Sequence, residues 1–441
     1  IHHPPIEVGV FLLLLDKKGE SLMTIEIRPV GINCNLQCKY CYQWKMREES
    51  PATKRKDPSK LIEKLENTAS GDYFTLFGGE ALLTPIEDLE TYWKYGYEKY
   101  GQNGIQTNGV LINDRHIELF KKYNVHVGIS FDGTGSMNDL RWAGSLEKTR
   151  KCTEMTWNNV KRLVKEGIIP SMIITLHELN ASKKNIGKFK EWIKEIDSLG
   201  IWSIRLHILE KEDCEADKYA LSPKEYAEAF IDIADFCSKE NIDIEFDVFH
   251  DINSLLKGKD NYTTCMFNNC DPLNTASVDS IDYDGVRGCG RPNKNGVDWN
   301  KCKTMGFERS YMLYHIPQEN GGCKDCKYFI ICRGNCPGNG IDGDWRNRSE
   351  YCEMWKILFD YFEKKHLEVG IVPITMSPSL KRIERALLDS LRAGQRTTIE
   401  YIINNLDNNT YSCNNEYISH LDSCHGDVPH GDSYENHNDF Q

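Results

Sequence analysis

Seventeen cysteines stand in this 441-residue chain, and the chemistry begins with their spacing. Cys34, Cys38 and Cys41 lie in Gly31-Ile32-Asn33-Cys34-Asn35-Leu36-Gln37-Cys38-Lys39-Tyr40-Cys41-Tyr42, a tight triplet. Three thiolates so spaced can wrap one face of a [4Fe–4S] cube; a closed site needs four ligands, so one iron is left open to bind a substrate. The alternative is zinc, which wants a fourth Cys or His at similar spacing, and the closest histidines are His2 and His3. A second group comprises Cys323, Cys326, Cys332, Cys336 and Cys352, with Cys265, Cys270 and Cys289 upstream. Eight cysteines suit two closed four-thiolate clusters, a zinc ribbon being the alternative. Cys302 falls outside the pattern, and Cys152, Cys214 and Cys237 read as buried structural thiols.

Elements must hold these ligands. Apolar or β-branched runs at Leu22–Val30, Tyr73–Phe77, Gly104–Thr107, Val125–Phe131, Ser171–Leu176 and Trp202–Ile208 predict six strands. Amphipathic stretches at 58–67, 86–98, 113–123, 154–167 and 184–198 predict the helices between them. Repeated βα units build a parallel sheet, open or closed into a barrel, whose ligands sit beyond the C-terminal strand ends. The cysteine triplet follows the first predicted strand, where such a site belongs.

Further motifs follow the next strands: Phe77-Gly78-Gly79-Glu80, Gln106-Thr107-Asn108-Gly109, and Ser130-Phe131-Asp132-Gly133 with Arg141 beyond. With the triplet, in this order, they make the chain resemble the radical S-adenosylmethionine (SAM) superfamily. The resemblance implies that Gly78, Gly79 and Glu80 hold the methionine amino group of SAM. It places Gln106, Thr107, Asn108, Ser130, Asp132 and Arg141 around ribose and carboxylate, with Tyr40 and Leu176 flanking adenine. The implied chemistry is reductive cleavage of SAM to a 5′-deoxyadenosyl radical that abstracts hydrogen from a substrate, so the protein's share is positioning and exclusion of water. No catalytic acid or base is readable.

The second cysteine group, with Gly285 before Cys289, resembles the SPASM extension of peptide-modifying radical SAM enzymes. The resemblance implies interleaved ligands: Cys265, Cys270, Cys289 and Cys336 on one auxiliary cluster, Cys323, Cys326, Cys332 and Cys352 on the other. The cofactors expected are therefore SAM and three [4Fe–4S] clusters. The fold expected is α/β, a partial (β/α)6 TIM-like barrel followed by a Cys-rich SPASM domain and a helical, polar C-terminal extension. Its expected divisions are an N-terminal hairpin over 1–21, the barrel over 22–235, the SPASM domain over 236–370 and the extension over 371–441.

Composition narrows the partners. A net charge of −12 opposes a sequence-independent grip on nucleic acid, and the longest apolar run, Val10 to Leu15, is too short for a membrane span. No signal peptide is readable and dense cysteine suits a reducing compartment, so a cytoplasmic location is expected. The partners expected are a peptide or protein substrate and an electron donor such as flavodoxin or ferredoxin.

Three function classes follow: a peptide maturase making an oxidative modification such as a crosslink, a sulfatase-maturing (formylglycine-forming) enzyme, and a non-catalytic iron–sulfur electron carrier. An electron carrier needs no SAM pocket. Sulfatase-maturing relatives place an Asp after the cysteine corresponding to Cys289, where this chain has Gly290. Only 33 residues precede Cys34, so leader recognition is expected to differ from maturases with a preceding leader-binding domain. After the SPASM region, Ser377-Pro378 caps a predicted helix with Leu380, Ile383, Leu387 and Leu391 on one face, ending at Gly394. Thr397 and Glu400 form a candidate capping box for a second helix. The polar tail repeats His-Gly-Asp at 425–427 and 430–432 beside Cys413 and Cys424. It reads as a precursor peptide joined to its own maturase, against an unstructured tail or a His/Cys metal site.

Overall fold

Strand and helix alternate through the first two hundred residues of the computed structural model, which describes residues 24–43, 57–68, 73–211, 214–261, 263–267, 270, 278–283, 285–287, 308–395 and 397–407. The expected hairpin over 1–21, Cys289, Gly290, Cys302 and the tail with Cys413 and Cys424 lie outside the described residues. The six expected strands are β1 (Thr24–Ile27), β2 (Phe74–Leu76), β3 (Asn103–Thr107), β4 (Val125–Ser130), β5 (Ser171–Leu176) and β6 (Ser203–Ile208). They pair in parallel in sequence order, as right-handed βα crossovers demand. Alternation decides the faces: Ile25 and Ile27 of β1, and Ile204 and Leu206 of β6, are buried in the core.

The sheet continues past residue 235. β7 (Glu245–Phe246) extends it beyond β6. On the far side β8 (Val278–Asp282) pairs in parallel with β1, Thr24 opposite Val278, and β9 (Gly285–Arg287) turns back antiparallel on β8. These strands were not expected, because two to five residues with polar members show no apolar period. They tie the region that carries the later cysteines into the barrel sheet itself.

Local signals place the helices. Asn113 accepts from the His116 N–H at 3.2 Å and starts Asp114–Lys122. Gly101, at φ 72°, closes Ile86–Tyr100. The helix expected over 154–167 runs instead from Leu146 to Lys165, capped by Ser145. Its first turns bury Thr149, Thr153 and Thr156, whose polarity hid the period. Thr149 and Thr153 satisfy their hydroxyls by donating to helix carbonyls one turn back, at 2.7 and 2.9 Å.

The C-terminal helices Leu380–Arg392 and Ile399–Asp407 join the same core. Ile383, Leu387 and Leu391 are buried on the expected face, and Ser377 Oγ accepts from Ser379 N at 3.2 Å just before the helix. The capping box differs from expectation. Thr398, not Thr397, accepts from the Tyr401 N–H at 3.1 Å, and Glu400 accepts from Asn261. Asp260 supplies the cap from another segment: it takes the Ile399 N–H at 2.8 Å and the Arg333 guanidinium at 2.6 Å. No helix among the described residues is long and apolar enough to cross a membrane.

Candidate active site

At the C-terminal ends of the six strands the cysteine loop is clamped from both sides. Gln37 and Lys39 donate backbone N–H groups to Trp142 and Leu140 carbonyls at 2.7 and 2.8 Å. From β2, the Gly79 and Glu80 N–H groups reach Gly31 and Asn33 carbonyls at 3.0 and 2.8 Å. A Cβ on Gly79 would stand 2.0 Å from the Asn33 carbonyl oxygen, so the glycine is required by loop-on-loop contact. The resemblance gave this glycine pair a role in holding SAM alone.

Cys34, Cys38 and Cys41 open onto one cavity of about 220 Å³. Burial pushes the Cys38 thiol up to about 12, outweighing the pull of nearby Arg141. A coordinated metal, by contrast, deprotonates a thiol outright. The Leu36 N–H already points at Cys34 Sγ, 3.4 Å away. Among the described residues no three His, Cys, Asp or Glu side chains converge on one metal ion. Three thiols on one cavity wall suit a cube, which spreads its thiolates over several irons.

Of the expected SAM-binding residues, Tyr40, Gly78, Gly79, Gln106, Thr107, Asn108, Ser130 and Arg141 line this cavity. Two buried polar atoms among them, Arg141 Nε and Gln106 Oε1, have no hydrogen-bond partner. Gln106, Thr107, Ser130 and Arg141 give the wall donors and acceptors that fit a molecule with carboxylate and hydroxyl groups.

The other three expected residues do not line the cavity. Leu176 is buried in the core. The Glu80 carboxylate is spent on the protein, accepting from Thr107 Oγ1, Asn108 N and Leu82 N at 2.6, 2.8 and 3.0 Å. It locks the β2 turn to the β3 turn; burial pushes the carboxyl above its ordinary value, while these three bonds pull it down. Asp132 lies behind the wall, accepting from Arg141 Nη2 at 3.0 Å, from Thr175 N at 2.9 Å and from the Tyr40 hydroxyl. Burial works against its charge, but Arg141 foremost, then His177 and Tyr40, hold the carboxyl at about 2. Burial foremost, then Asp132 and Cys38, push the Tyr40 hydroxyl well above its ordinary value against the pull of Arg141.

The cavity also has walls that the motifs did not reveal: Thr175 at the end of β5, and His207, Ile208, Leu209 and Glu210 where β6 ends. Their signal was position alone, since strand ends of a parallel sheet face the site.

The second cysteine region is partly assembled. Cys323, Cys326, Cys332 and Cys352 line one small cavity. Burial first, then the neighbouring Cys352, Cys323 and Cys326, raise the Cys332 thiol well above its ordinary value. Thiols so mutually repelling when ionised fit a shared cationic group. Of the other expected set, Cys265 and Cys336 interact. Cys270 is partly buried and Cys289 is outside the described residues. Cys237 packs at the edge of the core, where burial lifts its thiol to about 12. Cys214 donates to the Lys39 carbonyl at 3.3 Å.

Residues 29–208 match the model of the radical SAM superfamily. The chain is 26% identical over 382 residues to the cysteine-type anaerobic sulfatase-maturating enzyme of Clostridium novyi, covering 80% of this chain and 98% of the relative. It is also 26% identical over 373 residues to the serine-type enzyme of Bacteroides thetaiotaomicron, covering 77% and 88%. The fold is similar to native anSMEcpe solved with AdoMet and the Cp18Cys peptide, with TM-score 0.62 and 21% identity over 79% of this chain and 98% of that one.

Proposed function

Residues 29–208 belong to the radical SAM superfamily, and from that premise we propose that the chain oxidatively modifies a peptide side chain, with SAM held in the cavity at the strand ends. The observation that carries the reading is the meeting, on one cavity, of the three thiols with Gln106, Ser130 and Arg141. In this reading Cys34, Cys38 and Cys41 hold a [4Fe–4S] cube with one iron open to SAM. Cluster and SAM together supply, when bound, a carbon radical able to take hydrogen from an unactivated C–H bond. Gln106, Ser130 and Arg141 orient the polar groups of SAM, and Asp132 fixes Arg141 and Tyr40 without touching it. Glu80 holds the β2 and β3 turns together, so it positions the site rather than binding the ligand. Cys323, Cys326, Cys332 and Cys352 hold one auxiliary cluster, and Cys265, Cys270, Cys289 and Cys336 the other. A redox protein such as flavodoxin or ferredoxin delivers the electron.

The peptide substrate is supported by the near full-length similarity to two sulfatase-maturating enzymes. The modification we favour is a crosslink, because Gly290 stands where the resemblance expects an Asp. Aldehyde formation on Cys or Ser is the second reading, favoured by those same relatives. The test is anaerobic incubation with SAM, dithionite and either the Cp18Cys peptide or a synthetic peptide of residues 409–441. Release of 5′-deoxyadenosine with a crosslinked product lighter by about two mass units per bond supports the first reading. A hydrazine-reactive product supports the second. Fully iron-loaded protein that releases no 5′-deoxyadenosine with either peptide refutes both.

A further inference from the structure

The cavity wall bears a single carboxylate among the described residues, Glu210, just beyond β6. Its setting is rigid. The Leu209 N–H donates to the Leu176 carbonyl at 2.9 Å, and the Leu209 carbonyl takes the Tyr226 hydroxyl at 3.0 Å. Asn339 Nδ2 donates to Glu210 Oε1 at 2.8 Å. Asn339 is itself buried in the turn Pro337–Asn339 directly after Cys336, and its carbonyl takes the Glu350 N–H at 2.8 Å. One carboxylate is thus fixed against the cavity by a segment that carries a candidate auxiliary-cluster ligand.

We propose that Glu210 is the proton acceptor of the reaction, a catalytic residue that touches the substrate side chain. The proposal rests on the reading of the cavity given above, and its chemistry follows from balance. Removing two hydrogens from a side chain –CH2–XH, X being sulfur or oxygen, sends one as an atom from the β-carbon to the 5′ carbon of the adenosyl group. One electron passes from the carbon radical to an oxidised iron–sulfur cluster. The X–H proton goes to Glu210, and a C=X bond forms. If the radical carbon joins the X of a second residue instead, a C–X bond forms, the same electron leaves, and the proton of that X–H goes to Glu210. Either route needs a base within hydrogen-bond reach of X. His207 is the other candidate base on this wall. Glu210 is distinguished by its fixed orientation from the Cys336 side, where an auxiliary cluster would accept the electron.

Glu210→Gln keeps the bond to Asn339, since an amide oxygen also accepts, and removes the base. Wild type, Glu210→Gln and His207→Gln are compared with the Cp18Cys peptide and the 409–441 peptide, both carrying β-deuterated cysteine and serine. The expected result for Glu210→Gln is unchanged iron content, unchanged peptide binding by fluorescence anisotropy without reductant, and deuterium transferred to 5′-deoxyadenosine, with product formation down at least a hundredfold. Glu210→Asp should recover part of that loss, and the acid limb of the wild-type pH profile should vanish in Glu210→Gln. Product formed by Glu210→Gln at the wild-type rate overturns the proposal while the function stands. So does loss of product in His207→Gln alone, or loss of iron or peptide binding in Glu210→Gln. If wild type transfers deuterium from neither peptide, the function itself falls and the proposal with it.

Discussion

Replacing Asp132 by alanine should be among the most damaging single changes near the cavity, although Asp132 does not line it. Its carboxylate is fully buried and engages Arg141, the Thr175 N–H and the Tyr40 hydroxyl. Removing one member of a buried pair strands the other charge, which costs about 3–5 kcal/mol. The double change Asp132→Asn with Arg141→Met removes both charges and should recover most of that loss, though not SAM binding. The acid side of the stability profile carries the same signature. The folded-state value of about 2 lies below the ordinary 3.8, so the stabilisation is complete above about pH 4 and disappears as pH falls toward 2. A displacement of nearly two units corresponds to about 2 kcal/mol. The assay is urea unfolding of anaerobic protein matched for iron content, from neutral pH to about pH 2.5, with SAM binding measured in parallel. An Asp132→Ala loss below about 1 kcal/mol, or a double variant no more stable than the single one, would refute the argument.

Changing Cys34, Cys38 and Cys41 together to alanine should remove about four of about twelve irons and abolish SAM cleavage. Zinc bound at the second cysteine region after anaerobic reconstitution would contradict the auxiliary-cluster assignment. Glu80→Ala leaves three donors without their acceptor, at a cost of about 1–3 kcal/mol, and should weaken SAM binding with iron retained. Calorimetry showing unchanged SAM affinity would exclude its positioning role. Gly79→Ala drives a Cβ into the Asn33 carbonyl oxygen 2.0 Å away and should displace the cysteine loop. Iron analysis showing a full complement in that variant would refute the packing argument.

The six strands and the site's place at their ends were legible because apolar runs and turn motifs are local signals. The buried threonines of Leu146–Lys165 misled the period for a physical reason: Thr149 and Thr153 donate to carbonyls one turn back and Thr156 to the Asn108 carbonyl, so burial costs little. Glu80 and Asp132 were recognised as important, but the protein donors that reach their carboxylates were not legible. A sequence shows that a carboxylate is near a site, and only coordinates show which donors reach it first. Glu210 had no motif, and its bond to Asn339 spans a separation no local pattern records. The cap that Asp260 lends to Ile399–Asp407 was hidden likewise, since the capping residue belongs to another segment.

The pairing of β1 with β8 has a consequence for biogenesis. β1 meets β2 soon after synthesis, but its other side waits for residues 278–282. At ordinary translation rates of about 5–20 residues per second, that wait is on the order of ten to fifty seconds. Throughout it, one row of β1 backbone groups is open to pairing with any other extended chain. A nascent chain ending at residue 208 would carry the whole superfamily-matched segment and still expose that row. The cysteine triplet hangs directly from the end of β1, so iron loading is best deferred until β8 has docked. The order of emergence therefore matters: a cluster held by the triplet would gain its settled loop only once residues 278–282 have emerged.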